Sequence, residues 1–279
     1  MKLFFIFLLF FSSFLNVAWH ASLKKNKSVL INFTAMNFMV MIISLPIFIY
    51  FYNKEIFNVF FLFSLLFHLT YKYFLVKAYS RIDLISSYPL FKSITPIFVI
   101  ILSYLFFSQK YSIFEIFIIF IIFCLLINFY KPIFNNLFSL IPLFFLSLSA
   151  AFYTIIDSYI INNNFFNIYS FIFSLFFFDA LFFCLLLILI NENIKFEYYD
   201  LINLKSFITA ILGILSYILF LLSFKFIDVY LVSIIRETSI IYSFFFSYFY
   251  LKEKFLLRNI YAPISLFLLI VVLVNYKNL

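Results

Sequence analysis

A single glycine, Gly213, serves all 279 residues of the chain. A loop that cradles phosphate needs several glycines so that its amides can close on the anion, and nucleotide hydrolysis of that kind is excluded. Charge is also scarce: Asp, Glu, Lys and Arg together make up 11% of the residues, against about 25% in an ordinary soluble chain. Two histidines (His20, His68) and two cysteines (Cys124, Cys184) are well separated and do not form a zinc or haem ligand set. Both cysteines sit inside apolar runs and read as small hydrophobes, not as a disulfide framework. No grouping of serine, histidine and acid is apparent. Neither a metal nor a cofactor is expected.

What is present is apolar. Hydrophobic residues are 67% of the chain and Phe alone accounts for 50 positions. So much apolar surface cannot be hidden inside a water-soluble core of this size, and lipid is its natural solvent. In a bilayer every backbone polar group must be satisfied internally, which leaves helices or a closed barrel. The runs are continuous for about twenty residues and do not alternate, so they read as helices. The abundance of Phe, Ile, Asn, Lys and Tyr looks like a compositional bias and carries no functional signal. The formal net charge of +8 concerns orientation in a membrane, and no nucleic-acid partner is expected.

Polar punctuation divides the chain into ten spans, at about 3–20, 29–51, 57–77, 84–107, 112–130, 138–160, 166–190, 206–224, 228–251 and 258–276. The first, ending in Ala18-Trp19-His20-Ala21, has the outline of a secretory signal, but its bulky pair makes a poor cleavage site and it is counted as a helix. The longest connection, from Asn191 to Lys205, carries three acids and two lysines and belongs in water. Counting Lys and Arg near the span ends gives five on the side of the termini and eleven on the other. The positive-inside rule then places both termini outside the cytoplasm.

A shift of 144 residues lays the third-to-fifth spans on the eighth-to-tenth. Ser103-Tyr104-Leu105-Phe106-Phe107-Ser108-Gln109-Lys110 falls on Ser247-Tyr248-Phe249-Tyr250-Leu251-Lys252-Glu253-Lys254, Lys92 on Arg236, and Tyr73 on Tyr217. With a gap of ten residues Trp19 falls near Tyr153. The fold expected is an all-α integral membrane protein of ten transmembrane helices in two five-helix repeats, residues 1–137 and 138–279. Five is odd, so the second repeat enters the membrane inverted. Inverted repeats place a substrate site at their interface near the midplane, and rocking one against the other gives alternating access.

Three segments carry a family resemblance: Ala18-Trp19-His20 through Lys24, Ser87-Tyr88-Pro89-Leu90-Phe91-Lys92, and Arg236-Glu237-Thr238-Ser239 running on to Leu251-Lys252-Glu253-Lys254. Together they resemble the EamA family of the drug/metabolite transporter superfamily, in register over essentially the whole chain. The resemblance implies a permease or exporter of small organic metabolites or drugs in the cytoplasmic (inner) membrane of a bacterium. It also implies both termini inside, against the charge count. The chain departs from the family pattern in carrying Gln109 where Glu is usual, and in its lack of Gly and Ala. Small stripes, Ser147/Ala151/Thr154/Ser158 and Ser239/Ser243/Ser247, can bring helices together instead.

Ionisable groups inside spans are costly and each asks for a reason. Arg236 faces the cavity as an anion-binding fork or forms a structural pair with Glu237 or a neighbouring helix. Lys92, on one face with Tyr88, lines the cavity or snorkels to the interface. His68 and Lys72 lie one turn apart with Tyr73 next in sequence; hydrogen bonding to a neighbour and snorkelling are the alternatives. Asn16, Trp19 and His20 share a face, with Trp19 also suited to an interfacial anchor. Tyr153 and Tyr217 offer hydroxyls and rings, and packing is the alternative. Ser239 completes the candidate substrate set through the resemblance. Asp179, midway along the seventh span, is the candidate for proton coupling, because a carboxylate deprived of water can shed its charge by taking up a proton; pairing with a lysine is the alternative. Asp157, nearer a helix end, reads as a cap or surface acid.

Three functions remain open: a secondary-active permease of an anionic or zwitterionic metabolite, an intramembrane enzyme acting on a lipid-linked substrate, and a non-transporting scaffold. The repeat and the polar groups in both halves favour the permease. Its partners are the substrate and the bilayer; a monomer is sufficient and a dimer is possible.

Overall fold

The computed structural model describes residues 2–25, 28–130, 137–190 and 201–254, with 265, 268, 269, 272 and 276 beyond them. The described chain is all helical: α1 Lys2–Lys24, α2 Val29–Tyr50, α3 Val59–Tyr79, α4 Leu84–Phe107, α5 Ile113–Tyr130, α6 Leu137–Asn162, α7 Ile168–Ile190, α8 Leu204–Ser223, α9 Val229–Arg236 and α10 Ser239–Phe245, followed by a π-helical turn at Phe246–Leu251. Among the described residues eight helical segments are long and apolar enough to cross a membrane. α5 adds an 18-residue largely apolar helix whose one charged residue is Glu115 near its start. The chain is a multi-pass α-helical membrane protein. Most of the expected tenth span, residues 191–200 of the expected long connection, and Lys27, Lys131, Lys195, Arg258 and Lys277 of the charge count lie outside the described residues.

Helix starts follow local chemistry. Ser28, Asn53 and Asn58 cap the segments they precede, and Asn203 with Ser206 forms a reciprocal capping box at α8. The bundle is knit by α3 against α6, α1 against α8, α2 against α7, and α4 against α6. Large apolar side chains such as Phe7, Ile49, Leu105, Phe117 and Phe249 face outward, where a hydrocarbon solvent replaces the water that would penalise them.

Since lipid is as apolar as Leu, helices gain little by burying apolar surface against each other, and close backbone approach does more. Serine and threonine provide it here. Ser12 Oγ donates to the Ser216 carbonyl at 2.8 Å and Ser216 Oγ to the Ser12 carbonyl at 2.9 Å, a reciprocal tie between α1 and α8. Ser22 and Thr209 meet at 2.8 Å along the same pair. Ser147 Oγ donates to the Phe91 carbonyl of α4 at 2.9 Å. The two small stripes seen in the sequence are buried throughout.

The expected ninth span is not one helix. After Arg236 the bonding tightens: Glu237 N–H donates to the Ile234 carbonyl at 3.0 Å and Thr238 N–H to the Ile235 carbonyl at 3.1 Å, three residues back in place of four. This short stretch of tighter turn marks a break within the span. The Arg236 carbonyl at the break accepts instead from Ser13 Oγ of α1 at 3.2 Å.

Replacing Ser216 with Ala should cost only about 0.6 kcal/mol, a typical intramembrane hydrogen bond. Ser216→Leu should cost about 1–3 kcal/mol because the larger side chain forces α1 and α8 apart. Thermal unfolding in detergent measures both, and an equal loss for the two would show that the close approach is unimportant.

Candidate functional site

A cavity of about 90 Å³ lies in the interior where α1, α2, α3, α6, α7, α8 and the end of α9 converge. Eight residues singled out from sequence reach its wall: Asn16 and Trp19 from α1, His68 and Lys72 from α3, Tyr153 from α6, Asp179 from α7, Tyr217 from α8, and Arg236 at the helix break. Gly213 forms part of the same wall. A Cβ there would stand 2.6 Å from the Met36 methyl group and 3.9 Å from the Trp19 ring, so the lack of a side chain keeps the space open.

Two acids organise the charge around the cavity. Asp157 is fully buried, not the cap or surface acid that its place near a helix end suggested. Its helix runs on to Asn162, and three donors from two other helices turn toward it. Ser64 Oγ donates to Oδ1 at 2.5 Å, His68 Nε2 lies 3.0 Å from Oδ2, and the Tyr217 hydroxyl donates to Oδ2. The His68 ring is stacked on Tyr153 with centroids 4.1 Å apart. Asp179 Oδ2 is 2.7 Å from Lys72 Nζ, which also donates to Asn37 Oδ1, so Lys72 does not snorkel. Asp179 Oδ1 has no hydrogen-bond partner among the described residues.

Arg236 is different. Only 6% of its surface is exposed, and its guanidinium lies over the Phe220 ring at 3.8 Å and near the Tyr217 ring at 5.8 Å. Among the described residues no carboxylate comes within 4.0 Å of it, and its Nε has no acceptor. Cation–π contact attenuates a buried charge without neutralising it.

The other candidates stand apart from the cavity. Lys92 is buried but not among the residues lining this cavity; its Nζ is 3.9 Å from Glu237 Oε1. One residue on from Arg236 is roughly a 100° rotation, which aims Glu237 at α4 and leaves Arg236 facing the interior. Tyr88 donates to Asn16 Oδ1 at 2.7 Å from behind the wall. His20 is enclosed by Tyr79, whose hydroxyl is 2.8 Å from Nδ1, by Tyr71 at 3.4 Å from Nε2, and by the stacked Trp19 ring at 3.6 Å. Ser239 is buried beyond the break. Tyr73 is 43% exposed on the outer surface, under the Lys77 ammonium at 4.2 Å. It follows Lys72 immediately, and the helical rotation that turns Lys72 inward turns Tyr73 out. Asn37 and Ser64 were missed, although each was legible as a lone polar residue in an apolar run, Ser64 one turn before His68. Among the described residues no group of His, Cys, Asp and Glu could hold a metal ion.

No protein-family model matches the chain, and no curated protein does. One solved crystal structure superposes on it with a TM-score of 0.68, covering 96% of this chain and 93% of that one at 10% identity. At that identity the likeness shows a shared fold alone.

If Lys72 and Asp179 neutralise each other, removing either should cost about 3–5 kcal/mol by leaving a buried charge alone, while the apolar pair should be far milder. Lys72→Met and Asp179→Leu should therefore each lower the detergent melting temperature sharply, and the double variant should recover most of the loss. Additive losses would refute the pairing.

Proposed function

We propose that this protein is a secondary-active permease of a small anionic or zwitterionic metabolite, resembling the EamA-type transporters and built from two inverted five-helix repeats. It acts by alternating access in the cytoplasmic membrane and carries out no covalent chemistry. The observation that carries the reading is Arg236. A guanidinium buried beside a cavity, with no carboxylate within 4.0 Å among the described residues, is suited to bind a substrate carboxylate or phosphate. It sits at a break in its helix, and discontinuous helices at the midplane are where transporters of this kind bind their substrates. Asp179 Oδ1, on the same cavity and without a hydrogen-bond partner among the described residues, suits the ammonium of a zwitterion. The aromatic and aliphatic remainder of the wall, including Trp19, Phe33 and Phe176, suits an apolar body.

Proteoliposomes containing the protein should take up small amino acids or organic acids faster than protein-free vesicles. Arg236→Gln should reduce that flux about ten- to hundred-fold, as expected for loss of a charge-assisted bidentate contact. Vesicles that move only quaternary ammonium compounds would overturn the electrostatic assignment, and no flux of any solute would overturn the permease.

Asp179 is the proposed coupling acid, since taking up a proton would cost it Lys72 and so change the charge beside the substrate. Asp179→Asn should abolish accumulation driven by a proton gradient while leaving downhill exchange. Accumulation that survives the substitution would move coupling elsewhere, with the His68–Asp157 pair the next place to look.

A further inference from the structure

The two segments matched most closely by the 144-residue shift, ending in Gln109-Lys110 and Glu253-Lys254, take no part in the cavity. Their backbones are alike. Ser108 and Lys252 both adopt the left-handed conformation, with φ of 51° and 58°. The next amides, of Gln109 and Glu253, return to the Ser103 and Ser247 carbonyls at 3.5 Å and 3.0 Å. These are equivalent helix ends of the left-handed type.

The side chains that follow do different things. Glu253 reaches the start of α4, where Oε1 accepts from the Leu84 N–H at 3.0 Å and Oε2 from the Ile85 N–H at 2.8 Å. Asp83, at the cap position of α4, makes no side-chain bond to its own helix. A carboxylate from the other half of the chain fills that role. Gln109 Oε1 instead accepts from the Tyr111 hydroxyl at 3.2 Å. The helix start that corresponds to α4, within one residue, is α9, where Asp228 likewise makes no side-chain cap. Gln109 and the Asp228–Val229 start are separated by a vestibule of about 440 Å³ that both line. This vestibule lies at the opposite end of the bundle, since α4 begins at Glu253 and its end, Phe107, lines the vestibule. Lys205 donating to the Lys25 carbonyl at 2.8 Å, and Lys24 donating to the Ile82 carbonyl, add to the closure at the Glu253 end.

We propose that Glu253 and Gln109 are the two alternating latches of the transport cycle. In this conformation the Glu253 carboxylate shuts one end by capping α4 across the two halves. Opening that end releases α4, and Gln109 then caps α9 and shuts the other. The latches are unequal by construction. A carboxylate accepts from both leading amides and meets the positive end of the helix with a full charge, whereas an amide offers one oxygen and no charge. The Glu/Gln difference therefore biases the resting protein toward closure at Glu253. The proposal rests on the permease reading, but its test does not need the substrate.

Ile85 and Val229 are equivalent under the same shift and stand at the two helix starts. With Cys124 and Cys184 replaced by Ala, single Ile85→Cys and Val229→Cys variants in nanodiscs, open at both faces, are labelled with a membrane-impermeant maleimide. Cysteine at 229 should react faster than cysteine at 85. Glu253→Gln should speed labelling at 85 by about ten-fold, the scale of a carboxylate at a helix start. Exchanging the two residues, Glu253→Gln with Gln109→Glu, should reverse the order of the two sites. The proposal is overturned if Glu253→Gln leaves the rate at 85 within two-fold of the parent. It is equally overturned if the exchange speeds both sites together, which is what local unfolding would do. Reversed labelling without any solute flux would leave the latches standing and sink the permease; flux without reversal would do the opposite.

Discussion

A guanidinium buried in the interior of a helix bundle has to be balanced by something, because the surrounding hydrocarbon cannot do it. Arg236 meets this constraint in an unusual way. Its backbone carbonyl, at the break between α9 and α10, is taken by Ser13 of α1, and its charge rests on the faces of Phe220 and Tyr217. The acid beside it in sequence goes to Lys92. The arrangement holds the cation in place with its charge against aromatic faces and, among the described residues, with no carboxylate within 4.0 Å.

Around it the other ionisable groups are matched almost one for one. Asp157 is saturated by Ser64, His68 and Tyr217, and Asp179 takes Lys72. These contacts span α3, α6, α7 and α8, four of the helices that wall the cavity, so charge balance and helix packing are the same set of interactions there. Each pair brings one helix to another with a geometry that apolar packing alone would not specify in lipid.

The ends of the bundle follow a related logic. Helix starts expose amides that must be satisfied. At one end Glu253 satisfies those of α4 from the far half of the chain, while at the other a polar vestibule fills the equivalent place. The asymmetry between the two ends is therefore carried by the same kind of interaction that terminates any helix, used between halves of the molecule.

The long apolar runs by themselves determined that this is a helical membrane protein, because lipid leaves only helices or a closed barrel and the runs do not alternate as barrel strands would. Among the described residues they also placed the span boundaries within a few residues, since Asn, Ser and Lys punctuate the runs where helices must meet water. The lone polar residues marked which helices line the cavity: most of its polar wall was legible as isolated Asn, His, Lys, Asp and Arg in apolar surroundings. Which of them meet was not legible. His68 could be seen as polar, but its acid lies 89 residues away on α6. Tyr73 looked equivalent to Tyr217 in the repeat, yet rotation about α3 turns it outward. Lys92 and Arg236 matched in sequence, and only the direction of Glu237 decided that, among the described residues, one has a carboxylate within 4.0 Å and the other does not. Periodicity and composition act along a single helix, whereas pairing depends on the relative rotation of two helices, and that is set only when the whole bundle closes.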